Sequence, residues 1–152
     1  MERHSKMPVV IDKQHNRTIG HFLADTWWYG LTDRISTDEF YRLVQQRKDE
    51  SFSAIQLVMG VPPEVAIDSP QSHGGGKPAF CLQESNLIIN QDYIDAALEK
   101  IEILNKLHLK PITYGGWGPQ ISQIGRNNMI EWRKRVIKVT EKFDPIYCLT
   151  GG

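Results

Sequence analysis

Asp25-Thr26-Trp27-Trp28-Tyr29 sets one carboxylate beside three aromatic rings within five residues. Sugars present apolar C–H faces edged by hydroxyls, so a site for them combines aromatic platforms with charged or amide hydrogen-bond partners. Trp117 repeats the theme between Gly115-Gly116 and Gly118, because small neighbours let a large ring stand at a cleft instead of in a core. Gln56 lies between Ile55 and Leu57, so its amide either faces a barrel mouth or is a satisfied buried polar group. Asp25, Trp27, Trp28, Gln56 and Trp117 are the candidate substrate-binding residues. The plainer reading of the same residues makes Asp25 the cap of a turn and the indoles part of a core.

Other chemistries find less support. Glu64, beside Pro62-Pro63, reads as a solvated loop charge, and Asp33, Asp38 and Glu39 read as turn and helix-start charges. His73-Gly74-Gly75-Gly76 imitates the oxyanion loop of esterases, but no Gly-x-Ser-x-Gly supplies a nucleophile. Gln71 and Pro78 stand where a phosphate loop around Lys77 would need glycine and a hydroxyl. Cys81 and Cys148 form no Cys-x-x-Cys and have no histidine at zinc-ligand spacing, so two buried thiols are expected, with no metal and no cofactor. Eighteen basic and eighteen acidic residues cancel, which argues against nucleic acid or an anionic membrane surface as partner. The opening MERHSKMPVV has no apolar h-region, and no stretch is long and apolar enough to span a bilayer, so the chain as written reads as soluble and not exported. Asn16-Arg17-Thr18 matches a glycosylation acceptor, yet it sits in a polar run that reads more simply as a hairpin turn.

These residues need elements to hold them, and 152 residues with 40% apolar content suffice for one domain. After a tail over 1–7, Pro8 to Ile11 and Ile19 to Ala24 suggest a hairpin of short strands, the second closing on Asp25. Ser36 with Glu39 three residues on predicts a helix start, with Phe40, Leu43, Val44 and Phe52 on its apolar side. Ser53 to Met59 suits a buried strand. Seven prolines and glycines between Pro62 and Pro78 leave Val61 to Asn90 as one long loop on the active face. Ile94, Ala97, Leu98, Ile101 and Leu104 predict a helix from Gln91 to Leu107, and Lys110 to Tyr114 a third strand. Met129, Trp132, Val136, Val139 and Phe143 predict a third helix that ends before Asp144-Pro145, and Ile146 to Leu149 a fourth strand.

Strand and helix alternate throughout, which implies parallel strands. A doubly wound open sheet and a (β/α)8 barrel both satisfy the alternation. The loops favour half of a barrel, with four parallel strands, three helices and an N-terminal hairpin, because the candidate residues gather at the C-terminal strand ends where barrels do their chemistry. A half barrel would leave an uncovered inner sheet face and two bare edges, so a homodimer that closes it is one expected partner and a carbohydrate the other.

Five segments resemble the apiosidase-like glycoside hydrolases, (β/α)8 barrels related in fold to the retaining glycosidases of the cellulase type. They are His21-Phe-Leu-Ala-Asp-Thr26 with Trp28, Thr37-Asp-Glu-Phe-Tyr41, Ser53-Ala-Ile-Gln56, Ile112 to Gly118, and Tyr147-Cys-Leu-Thr-Gly-Gly152. The likeness runs from about Pro8 to Gly152, the first and last segments being the more specific. Ala24 stands where the family usually has glycine, and Ser51-Phe52-Ser53 where it has a Gly-Phe-Asn type entry. The resemblance implies hydrolysis of O-glycosidic bonds in plant-type or other polysaccharides by two carboxyl groups, ~5 Å apart if configuration is retained. In the family one carboxylate follows the two glycines of the fourth strand directly and another lies on a later strand. The expectation is therefore the front half of a glycosidase, with no catalytic residue within this chain. The rival expectation is a non-catalytic carbohydrate-binding or self-associating module.

Overall fold

The computed structural model describes residues 10–12, 17–19 and 22–148. The tail over 1–7, the Asn16 acceptor and the closing Thr150-Gly151-Gly152 lie outside the described residues. Val10–Asp12 (β1) and Arg17–Ile19 (β2) pair antiparallel, with Val10 opposite Ile19. The next strand is separate, Ala24–Trp27 (β3), so Asp25 lies inside a strand and does not close one. Pairing with β1 ends β2 at Ile19, and the chain restarts the next sheet five residues on.

β3, Ala54–Val58 (β4), Lys110–Tyr114 (β7) and Ile146–Cys148 (β8) form one parallel sheet in the order β3-β4-β7-β8. Spatial order follows chain order without reversal. A doubly wound sheet needs a reversal, since its ligand crevice opens at that point, so the described strands do not fit that alternative.

Helices connect the strands. Thr37–Asp49 (α1) begins as expected: the Ser36 hydroxyl accepts the Glu39 amide at 3.1 Å and satisfies a free N–H of the first turn. Gln91–Lys106 (α2) also matches its prediction to within a residue. The third connection holds two helices instead of one, Gly118–Ile124 (α3) and Arg126–Thr140 (α4), hinged at Gly125 with φ 91°. A left-handed backbone at that corner is open to glycine and strained for other residues. Phe143 sits in a short 3-10 turn after α4, not in the helix.

The long segment after β4 carries structure of its own. A 3-10 turn spans Pro70–Ser72, and Phe80–Gln83 (β5) pairs antiparallel with Asn86–Ile89 (β6). Cys81 lies on the outward side of this ribbon and is exposed, and Cys148 is half-buried, so neither is the buried thiol expected.

The core lies between the sheet and the helices. Ile55 and Leu57 on β4 meet Phe40 and Val44 of α1, Ile94, Ala97, Ile101 and Leu104 of α2, and Trp132 and Val136 of α4. At the end of β4, Gly60 (φ 129°) lets Trp132 come close: a Cβ there would stand 2.9 Å from the indole Nε1, which donates to the Met59 carbonyl at 3.1 Å. On the opposite sheet face Ala54, Val58 and Ile112 are also buried, so that face is not bare at its centre as expected. Small and β-branched side chains there sit between larger neighbours, Tyr114 being the register partner of Val58. Ile146, on the outer strand, is 41% exposed.

Candidate functional site

Side chains alternate across a strand, so the register settles which candidates can meet. Thr26 pairs with Gln56 and Gln56 with Ile112, so these three share the face turned away from the helices. The Thr26 hydroxyl donates to the Gln56 carbonyl oxygen at 3.2 Å. One position beyond β3, Trp28 keeps to the same side. Its ring stands edge-on to Tyr114 at 5.2 Å and to Trp117 at 5.1 Å. Tyr114 and Trp117 stack at 5.4 Å with 15° between their planes. Trp28, Tyr114 and Trp117 thus form an aromatic wall at the C-terminal ends of β3 and β7. Beside it, the Cys148 thiol, and to a lesser degree burial, hold the Tyr114 phenol above its ordinary pKa.

Asp25 and Trp27 occupy the other face. Trp27 meets Phe40 of α1 edge-on at 5.5 Å, within the sheet–helix core. Asp25 accepts from the Arg47 Nε at 2.6 Å, from the Trp27 Nε1 at 2.9 Å and from the Thr26 amide at 2.8 Å. Burial pushes its carboxyl up, but the Arg47 guanidinium, the indole N–H and the amide outweigh that and hold it below the usual aspartate range. Two of the five candidates therefore pack and pin β3 against α1, while Trp28 and Gln56 lie on the face turned away from the helices, with Trp117 packed against Trp28. The cause is the one-residue alternation: with β3 starting at Ala24, odd-numbered side chains meet the helices.

The strand ends are fastened by residues that sequence reasoning passed over. Lys100, buried in α2, donates from Nζ to the carbonyls of Gly30 at 2.9 Å, Thr32 at 3.0 Å and Ile35 at 2.6 Å, and so holds the turn that follows Trp28. Burial lowers its pKa, partly offset by Asp33, Glu99 and Glu39. The signal was present: Lys100 falls three residues after Ala97, inside an apolar stripe where a lysine is out of place. Asp33 accepts the amides of Gly75 and Gly76, both at 2.8 Å, which docks the glycine run expected to be idle onto the same turn. Tyr93, buried in α2, accepts the Gly60 amide at 2.7 Å. Gln120 accepts the Trp117 amide at 3.1 Å and donates to the Val61 carbonyl at 2.9 Å, joining the loops after β4 and β7.

A cavity of about 610 Å³ opens beside the wall, lined by Trp117, Glu64, Gln120 and Gln123 among others. Glu64 is exposed there, with a left-handed backbone (φ 64°). The cavity offers one indole, two amides and one carboxylate among apolar side chains, a set that can hold a polyhydroxylated ligand. Among the described residues no cluster of three His, Cys, Asp or Glu side chains is placed to hold a metal ion, and no helix is long and apolar enough to cross a membrane.

Comparison with known proteins bears on the family and the fold. A family described as "Apiosidase-like, catalytic domain" matches residues 13–151. No curated protein matches the chain. A solved structure titled "Glycoside hydrolase" superposes with TM-score 0.63 at 16% identity, covering 97% of this chain and 34% of its own. A second, titled as a putative dehydratase from Mesorhizobium loti, superposes with TM-score 0.34 at 15% identity over 61% of this chain and 21% of its own. The chain spans about a third of the length of the solved glycoside hydrolase it resembles.

Proposed function

Since the chain belongs to the apiosidase-like catalytic-domain family, we propose that it forms the front half of a (β/α)8 barrel that hydrolyses O-glycosidic bonds, and that it supplies the sugar-binding wall of that enzyme. The observation that carries the reading is the aromatic wall of Trp28, Tyr114 and Trp117 at the C-terminal ends of parallel strands, where barrel enzymes place their substrates. Trp28 and Trp117 offer ring surface to the C–H faces of a sugar, and Gln56 offers its amide to a hydroxyl. Asp25 and Trp27 act at one remove, as positioning residues that set β3 on α1.

Hydrolysis needs a proton donor to the leaving oxygen and a second carboxylate as nucleophile or base. Asp25 is unsuited to either role, because it lies on the helix side of β3, away from the wall, and its carboxylate is taken up by Arg47. A general acid has to hold a proton near neutral pH, and the Arg47 contact stabilises the ionised form. In this proposal both catalytic carboxylates belong to sequence beyond Gly152, and the chain by itself binds sugar without cleaving it. The sequential strand order and the one-third coverage of a solved glycoside hydrolase support that division.

The test pairs binding with turnover. The chain should show saturable quenching of tryptophan fluorescence by neutral sugars, and no release of nitrophenol from aryl glycosides. Trp117→Ala should weaken binding about tenfold, equivalent to about 1.4 kcal/mol, while circular dichroism stays unchanged. Turnover by the pure chain that disappears in Asp25→Ala would overturn the division of labour. Absence of any sugar binding would overturn the wall.

A further inference from the structure

The cavity beside Trp117 does not end there. Gln123 and Ala66, which line it, also line a neighbouring hollow of about 500 Å³ walled by His73 and Phe80. Gln123 and Leu82 in turn border a third hollow, of about 610 Å³, between Ser85 on the β5–β6 ribbon and Asn128 at the start of α4. Gln123 is exposed and belongs to all three. The three hollows adjoin at Gln123, and taken together they outline a groove that starts at Trp117 and runs out along the ribbon.

We propose that this groove binds an uncharged oligosaccharide chain, so that the protein recognises several consecutive sugar units and not a terminal sugar alone. The inference rests on the sugar-binding reading of the wall and extends it. Each hollow falls in the ~300–1,000 Å³ range of small-ligand sites, and a single sugar on Trp117 would leave the other two unused. The groove carries Glu64 and Asp68 against Arg126, with amides at Gln123, Asn86 and Asn127, a set that hydrogen-bonds hydroxyls and does not favour a polyanion. Its borders are built in advance. The Asn128 Nδ2 donates to the Ser85 carbonyl at 2.9 Å and to the Ile124 carbonyl at 2.8 Å, and the Asn90 Nδ2 donates to the Pro78 carbonyl at 2.8 Å. A groove whose borders are already fixed loses little ordering entropy when a chain enters.

The experiment titrates the 152-residue chain with β-1,4-linked glucose and xylose ladders of one to six units, and with a galacturonate ladder as the charged counterpart. Affinity for a neutral ladder should rise at least tenfold from monomer to hexamer, and the galacturonates should bind more weakly at equal length. Asn127→Ala, at a residue that lines only the third hollow, should cut hexamer affinity about fivefold or more and leave monomer affinity unchanged. Monomer and hexamer binding alike, or an Asn127→Ala protein with an unaltered length dependence, would overturn the groove and leave the aromatic wall standing. Tighter binding of the galacturonates would overturn the uncharged assignment. No binding in any ladder would overturn groove and wall together.

Discussion

Asp25 shows how a residue of catalytic type can be taken out of chemistry by its neighbours. Its carboxylate accepts three hydrogen bonds, one of them charge-assisted from Arg47, which itself also reaches Glu50 at 3.1 Å. A folded-state pKa below the unfolded value means that the ionised form is the one stabilised. The contribution is present above the ordinary aspartate range near 4 and is lost as pH falls through the lower folded value. With the Asp25 side chain 31% exposed, solvent screening keeps the effect near about 1 kcal/mol. Asp25→Asn should lower the melting temperature at pH 7, and melts at successively lower pH should show the gap to the wild type closing below about pH 4. A gap of the same size at pH 2.5 and pH 7 would mean that Asp25 stabilises β3 through its shape and not its charge.

The β5–β6 ribbon marks the limit of what local sequence discloses about an element. Its connection is the two residues Glu84-Ser85, both left-handed at φ 52° and 68°. Tight hairpins of this kind usually announce themselves by Asn-Gly or Asp-Gly, and Glu-Ser carries no such mark. Replacing the pair with Asn-Gly should raise stability by about 1 kcal/mol, read as an increase in the denaturant midpoint at constant slope. Elements with strong local signals were legible: the Ser36 cap, the apolar stripe of α2 and the strand Lys110–Tyr114 all stand where periodicity placed them. The placement of the candidate residues was legible in part. Trp28 and Gln56 reach the face turned away from the helices, with Trp117 packed against Trp28. Asp25 and Trp27 did not, because β3 pairs with β4 so that they stand beside Ile55 and Leu57 on the helix side, and no local pattern fixes that register. Lys100 stood out as a lysine in an apolar stripe and Asp33 read as a turn charge, but their partners are backbone groups of distant loops, at sequence separations that no motif encodes.

On the scale of the whole molecule, the parallel sheet has β3 and β8 as its outer strands, and within that sheet each pairs on one side only. Ile146 and Tyr147 of β8 are exposed, and edges of this kind recruit further strands. Light scattering across a hundredfold range of concentration should show the 152-residue chain self-associating, and a constant monomer mass would mean that the outer strands are already protected. The ribbon stands outside this problem. It hangs from the loop after β4, pairs only with itself, and meets the rest of the molecule through contacts such as Asn128 with Ser85. Its tip is therefore free to lengthen, shorten or change composition over evolutionary time without shifting the register of a single parallel strand. Changes confined to the exposed stretch from Leu82 to Asn86 would redraw that border of the groove, while Phe80, Leu87 and Ile89 keep the base of the ribbon anchored in the core.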